Sequence, residues 1–115
     1  MDNSILSTIK KILGLDASYT PFDTDIIVFI NGAFLSLQQV GVGPESGFSI
    51  HGYDETWASY LTNPQNLEAV KTYIYLHVKR LFDPPSSSFV MDAYNKQMDE
   101  LIWRLNVQAE SGVEA

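Results

Sequence analysis

The chain has 115 residues, of which 45% are hydrophobic and 18% charged, and its formal net charge is −7. This length predicts a single domain, and the low charge with ample aromatic residues argues against disorder. Because cysteine is absent, disulfides and thiolate zinc sites are excluded, and no apolar run approaches the roughly 18 residues that a membrane span needs. The lysines and arginines are scattered, so stable binding to nucleic acid by this chain alone is not expected.

The first predicted helix covers about residues 3–13, with Ser4 as its cap and Gly14 ending it in a left-handed turn. Helical spacing gives it one apolar face, made of Ile5, Leu6, Ile9, Ile12 and Leu13. The opposite face is polar and holds Ser7, Thr8, Lys10 and Lys11. The chain begins Met-Asp-Asn, without a basic region before an apolar stretch, so we expect no signal peptide and a protein that stays in the cytoplasm.

The second predicted helix starts after a loop, at a cap provided by Asp23 or Thr24, and runs to about residue 40. Val28 and Leu35 lie well off its main apolar stripe, which consists of Ile26, Ile30, Ala33, Phe34 and Leu37. A helix that is apolar nearly all round is either central in its domain or covered by a second body. Gly32 inside this helix predicts close approach by a neighbouring backbone.

Residues 41–53 are rich in glycine and predict a long irregular loop, with a brief extended piece at residues 48–50. Asp54 is expected to cap a short helix over residues 55–61, and Asn63 followed by Pro64 is a restart signal.

Two longer helices are predicted in the second half of the chain. The first, over residues 64–82, has a core stripe of Leu67, Val70, Ile74, His77, Val78 and Leu81. Leu76 lies almost opposite that stripe, flanked by Tyr73. The last helix starts at residues 86–88 and runs to about residue 108, with a stripe of Val90, Tyr94, Met98, Leu101 and Leu105. The sequence therefore predicts an all-α bundle of four to five helices over residues 1–108, followed by a flexible acidic tail at 109–115.

No motif in the chain predicts a catalytic, metal or cofactor site. His77 has no carboxylate or second histidine at the spacing that presents two ligands on one helical face, and His51 lies in the Gly-rich loop, not on a predicted helix. His77 is most simply a histidine at the edge of the core with one hydrogen bond. The acidic pairs fall at predicted helix starts or on a solvated face. We therefore expect a protein that is not an enzyme.

Trp103 projects away from the core stripe of the last helix, and two interpretations are open. It is covered by the first helix or the long loop of its own chain, or it anchors a contact with another subunit or protein. The same alternatives apply to the apolar residues on the outer sides of the second and fourth helices. Candidate interface residues are Val28, Leu35, Tyr73, Leu76, Phe89, Trp103, Arg104 and Val107.

Several segments together resemble the head–tail connector proteins of tailed bacteriophages, also called adaptor or head-completion proteins. They are Ile-Lys-Lys-Ile-Leu-Gly-Leu at 9–15, Phe-Asp-Thr-Asp-Ile at 22–26, Phe-Leu-Ser-Leu-Gln-Gln-Val-Gly-Val-Gly-Pro at 34–44, Trp57, Leu-Glu-Ala-Val-Lys-Thr-Tyr-Ile at 67–74, Phe-Asp-Pro-Pro at 82–85 and Leu-Ile-Trp-Arg-Leu-Asn at 101–106. Each segment is weak alone, and their order and spacing make the resemblance specific over nearly the whole chain.

The resemblance implies a structural virion protein at the head–tail interface, assembled in the host cytoplasm. Copies would form a ring, usually of twelve, beneath the portal and above the stopper or tail-completion protein, with DNA passing through without tight binding. It implies no catalytic residues, no cofactor and no membrane. It also implies a portal contact by the C-terminal segment, here Asn106, Gln108 and Glu110. A loop facing the channel or the next tail protein would be residues 41–53, with candidates Glu45, Phe48, His51 and Tyr53.

Two other classes remain open on the sequence. A helical nucleic-acid-binding or packaging-associated module would need a basic face, which the sequence does not display. A small enzyme would need polar groups that converge in a pocket.

Overall fold

A computed structural model describes residues 4–44, 46–60 and 64–110, without the side chains of residues 64, 65, 109 and 110. These ranges contain five helices: α1 (Ile5–Ile12), α2 (Asp23–Gln39), α3 (Trp57–Tyr60), α4 (Pro64–Phe82) and α5 (Ser88–Glu110). They contain no named strand, only an isolated antiparallel bridge between Ser4 and Thr56. The predicted all-α class is confirmed.

The ends of α1 follow the chemistry that the sequence predicts. The Ser4 side chain accepts a hydrogen bond from the Ser7 backbone N–H at 3.2 Å. At the other end Gly14 has φ +88°, and the amides of Gly14 and Leu15 donate back to the carbonyls of Lys11 and Lys10. This pair of bonds satisfies carbonyls that the last turn of a helix leaves unpaired.

Three predicted details at helix ends are wrong. Helix α2 has Phe22 as its N-cap, without a side-chain capping bond, because the Asp23 carboxylate is used elsewhere. Helix α3 is only four residues long, and Thr56, not Asp54, takes the capping position by accepting from the Ser59 amide at 3.3 Å. Residues 48–50, predicted as a brief extended piece, belong to no helix or strand. The prediction at Asn63 lies outside the described residues.

Asn31 of α2 explains why residues around Ile50 are fixed without a partner strand. Its side chain donates to the Ile50 carbonyl at 3.0 Å and accepts from the Ile50 amide at 2.7 Å. One amide side chain thus satisfies both polar groups of a buried backbone position, as a neighbouring strand would. Ile50 itself is fully buried.

Helix α4 is central, since α2 and α5 both pack against it and α1 also touches it. Val70, Ile74 and Val78 are fully buried in the resulting core. Tyr73 and Leu76 are also buried, at 6% and 5% exposure, so the prediction that they lie on an outer face is wrong. A helix packed by neighbours on more than one side needs apolar residues over a wide arc.

The ends of the predicted apolar stripes of α4 and α1 are more exposed to solvent than expected. Leu81 is 47% exposed and Ile12 is also 47% exposed, although both belong to predicted core faces. The neighbour of Gly32 is also different from the prediction, because the Nε2 atom of His77, not a backbone, lies 3.4 Å from where a Cβ would stand.

Helix α5 continues to Glu110, two residues into the predicted tail. Residues 111–115 lie outside the described part of the chain. The division into a domain and a flexible tail therefore stays a prediction.

We expect Gly43→Ala to destabilise the protein more than Gly14→Ala. Both glycines have a positive φ, which costs an alanine about 1–2 kcal/mol. A Cβ at Gly43 would in addition stand 2.6 Å from a ring carbon of the buried Tyr60, whereas nothing lies within 4 Å at Gly14. The free energy of unfolding of each variant is measured in urea, and the difference between the two gives the cost of the clash with Tyr60. Equal losses of free energy in the two variants would contradict this account of the Gly43–Tyr60 contact.

Candidate interaction surfaces

One face of α5 carries a continuous stripe of exposed side chains. Phe89 is 82% exposed and Trp103 is 65% exposed, which is unusual for the largest apolar side chains. The stripe, here called the α5 stripe, consists of Phe89, Ala93, Lys96, Glu100, Trp103 and Val107, all exposed. Its spacing of four and three residues keeps it on the side of α5 opposite the buried Met98 and Leu105. It therefore points away from α4.

The exposure of Trp103 bears on the first of its two interpretations. The indole is 65% exposed, so among the described residues neither α1 nor the long loop covers it, and its contact with another subunit or protein stays a prediction. Arg104, beside the stripe, forms an exposed pair with Glu100 at 3.0 Å. Such an exposed pair contributes little to stability and leaves the guanidinium accessible.

A second, shorter apolar surface lies on α2. Val28 is 61% exposed and Leu35 is 57% exposed, one heptad apart on the side opposite the buried Ile30 and Leu37. We call Val28 and Leu35 the α2 stripe. It too points away from α4, so the subunit presents two different apolar surfaces on two helices.

The predicted portal segment divides into residues with different roles. The Asn106 side chain donates to the Val40 carbonyl at 3.2 Å, so it ties α5 to the end of α2. Gln108 is half-buried. Glu110 is the last residue of α5, and the structure does not describe its side chain. Asn106 therefore has a structural contact that the sequence did not indicate.

The predicted channel loop is largely fastened to the body. Phe48 packs edge-on against Phe34 and at a tilt against Tyr60, with ring centroids 5.1 Å apart in each pair, so part of its side chain is used within the chain and its role at the channel stays a prediction. His51 is exposed, and its backbone amide donates to the Glu55 carboxylate. Glu45 lies outside the described residues.

Tyr53, the last of those loop residues, points its hydroxyl into a polar cluster that sequence reasoning missed. The Lys10 side chain is fully covered, and its ammonium lies 2.8 Å from Asp23. The same ammonium donates to the carbonyls of Ala17 and Tyr19 and to the Tyr53 hydroxyl, at 3.1, 2.7 and 2.7 Å. The Tyr53 hydroxyl in turn donates to Asp23 at 2.6 Å. Lys10, which the helical spacing assigns to the polar face of α1, is therefore buried.

Electrostatics in this cluster favour the charged pair. Burial raises the pKa of Asp23, but hydrogen bonds from Lys10 and Tyr53 more than offset it, and the pKa lies below its ordinary value. Burial likewise lowers the pKa of Lys10, and its bonds to Asp23 and Tyr53 outweigh that effect and raise it. The cluster joins α1, the loop after it, the start of α2 and the residues before α3. Its hydrogen bonds and ion pair hold these four segments together.

His77 lies at the contact between α4 and α2, beside Gly32. Its Nδ1 atom is buried without a hydrogen-bond partner among the described residues, so the predicted single hydrogen bond is not made there. Burial lowers the pKa of His77, and the charge of Arg80 adds to the effect.

The lowered pKa of His77 predicts a loss of stability in mild acid. Between the folded pKa and the ordinary value of 6.5, the unfolded chain binds more protons, so stability falls as the pH drops through that window. Urea midpoints at about pH 7.5 and about pH 5.5 measure the fall. His77→Gln should reduce the fall, whereas His51→Gln, which leaves His77 in place, should not. Equal behaviour of the two variants would contradict this assignment.

No three His, Asp or Glu side chains of the described ranges are grouped so that they could hold a metal ion. Within those same ranges, no helix has the length and apolar character to cross a bilayer.

Comparison with known families gives one result. A family model described as "Phage connector protein" matches residues 5–112. Neither a curated protein nor a solved structure matches the chain. The matched range covers all five helices.

Proposed function

Since this chain belongs to the phage connector protein family, a structural family of the virion's head–tail junction, we propose that it assembles as a ring between portal and tail. In this role it is a structural component, not an enzyme. Its neighbours would be copies of itself in a closed cyclic assembly, about twelve of them as the family resemblance implies. The portal would lie on one side of the ring and a stopper or tail-completion protein on the other.

The observation that carries the proposal is the pair of stripes on one subunit. The α5 stripe and the α2 stripe are different surfaces, and both expose apolar side chains away from the core. A surface that meets itself gives a closed dimer, whereas two different surfaces that meet head to tail give a ring or a filament. A subunit with two unlike apolar faces is therefore suited to a ring.

Charge supports passage of DNA through such a ring without tight binding. The chain has 14 acidic and 7 basic residues. Among the described basic side chains, Lys10, Lys71, Lys79 and Arg104 each pair with an acid of the same chain. Few positive charges are left to hold the DNA backbone, whose binding depends on lysine and arginine.

The end of α5, including Gln108 and Glu110, is the proposed portal contact. The exposed turn at His51 is the proposed contact for the next tail protein or the channel. Because Phe48, Ile50 and Tyr53 fasten this loop to the body, the loop would meet its partner already ordered.

The test is reconstitution of the purified chain with purified portal rings, imaged by electron microscopy. We expect an added ring of density at the tail-facing end of the portal, with a copy number set by the mass of the complex. A chain that stays monomeric at high concentration and ignores the portal would exclude this function. Tight, salt-sensitive binding to DNA at low ionic strength would favour a nucleic-acid-binding module in its place.

A further inference from the structure

A concave surface lies at the start of α5 and shares three of its four residues with the α5 stripe. Phe89, Asp92, Ala93 and Lys96 line it. These four positions are i, i+3, i+4 and i+7 of one helix, the set that surrounds a hole in knobs-into-holes packing. Ala93 is the smallest of the four, which leaves the centre of the hole open to a side chain from a facing helix.

The same spacing of four side chains repeats one heptad further along α5, where Glu100 takes the position of Ala93. Lys96, Asp99, Glu100 and Trp103 occupy the equivalent positions, and all four are exposed. The two holes are therefore centred seven residues apart, about 10.5 Å along the helix axis. Each hole combines an aromatic side chain at one corner with charged side chains at others.

The α2 stripe displays two apolar side chains at this same spacing. Val28 and Leu35 are seven residues apart on one exposed face. Both are branched aliphatic residues of a size that serves as knobs in helix packing. A second copy of the chain thus carries, on a rigid helix, what the two holes require.

We infer that α2 of one subunit packs antiparallel on α5 of the next subunit in the ring. This inference rests on the proposed function. Leu35 enters the hole around Ala93, and Val28 enters the hole around Glu100.

Charge fixes the orientation. Asp25 is exposed and lies one turn before Val28. In the antiparallel arrangement Asp25 reaches the end of the α5 stripe that carries Arg104, whereas in the parallel arrangement it would lie against Phe89. Arg104 is held in its own chain only by an exposed pair with Glu100, so it can share a neighbour's carboxylate.

Cysteine cross-linking tests this contact directly, because the chain contains no cysteine. A variant with Leu35→Cys and Ala93→Cys, assembled on portal rings and oxidised, should give a ladder of covalent oligomers up to the full ring. Either substitution alone should leave monomers. Val28→Cys with Ala93→Cys reports the parallel arrangement and should cross-link much less. Ser49→Cys with Ala93→Cys is the matched control, since Ser49 is exposed but belongs to neither stripe.

Several outcomes would overturn the inference. Dimers of Ala93→Cys alone would show that α5 stripes meet each other, and a bond between Ala93→Cys and portal protein would assign the stripe to the portal. Rings that are visible by microscopy but lack the Leu35–Ala93 cross-link would exclude this contact and leave the proposed function intact. Absence of any ring would remove both.

A charge exchange gives a second measurement. Asp25→Lys and Arg104→Glu should each weaken ring formation by about threefold or more, as expected for loss of a favourable ion pair. Both changes together in one chain should restore it, because every subunit then offers the reversed pair. Additive weakening in the double variant would contradict the antiparallel arrangement.

Discussion

Lys10→Met should lower the free energy of unfolding by about 3 kcal/mol, near the lower end for breaking a buried ion pair. The lower end applies because Asp23 keeps 17% of its side chain exposed. The substitution also strips a donor from the carbonyls of Ala17 and Tyr19, and from the Tyr53 hydroxyl. For a chain of this size the loss corresponds to a fall of roughly 10 °C in melting temperature.

The adjacent residue provides a matched control for this prediction. Lys11→Met makes the same chemical change one position along the same helix, but Lys11 is exposed. Its effect should stay within about 0.5 kcal/mol. Urea unfolding at pH 7 is the measurement, because that pH lies above the ordinary pKa of aspartate and below that of lysine, where both groups are charged. Equal losses in the two variants would show that the cluster contributes nothing specific.

Helices whose signals are local could be predicted from the sequence to within a few residues. Periodicity and the proline-flanked boundaries placed α4 at residues 64–82, as observed. The Ser4 cap and the Gly14 turn were also predictable, since their partners lie within a few positions of them. Helix α3 was predicted too long, because the capping chemistry of Thr56 and Asp54 cannot be told apart from residue type alone.

Features that depend on distant partners were not predictable. Lys10 belongs to the predicted polar face of α1, and only the fold brings Asp23 and Tyr53 to it from 13 and 43 positions away. The burial of Tyr73 and Leu76 depends on how many helices surround α4, which the periodicity of α4 does not state. The candidate surface was partly predictable, since the exposure of Val28, Leu35 and Trp103 follows from their angle to the core stripe.

Trp103→Ala should leave the isolated subunit nearly as stable as the parent and still prevent assembly. The indole is 65% exposed, so its loss should change the free energy of unfolding by no more than about 0.5 kcal/mol. As a corner of the second hole on the α5 stripe, it would be buried in the proposed ring. Truncation of a central aromatic residue in an interface costs about 2 kcal/mol or more, which corresponds to roughly a thirtyfold weakening of assembly.

Trp57, the other tryptophan of the chain, provides the control for Trp103→Ala. Trp57 is only 4% exposed, and its indole N–H donates to the Thr8 hydroxyl at 3.0 Å. Trp57→Ala should therefore cost about 3–5 kcal/mol of subunit stability. Fluorescence separates the two sites, because an external quencher should reach Trp103 in the subunit and lose that access when the ring forms. A Trp103→Ala variant that melts early would assign Trp103 to the fold, and one that assembles normally would remove it from the interface.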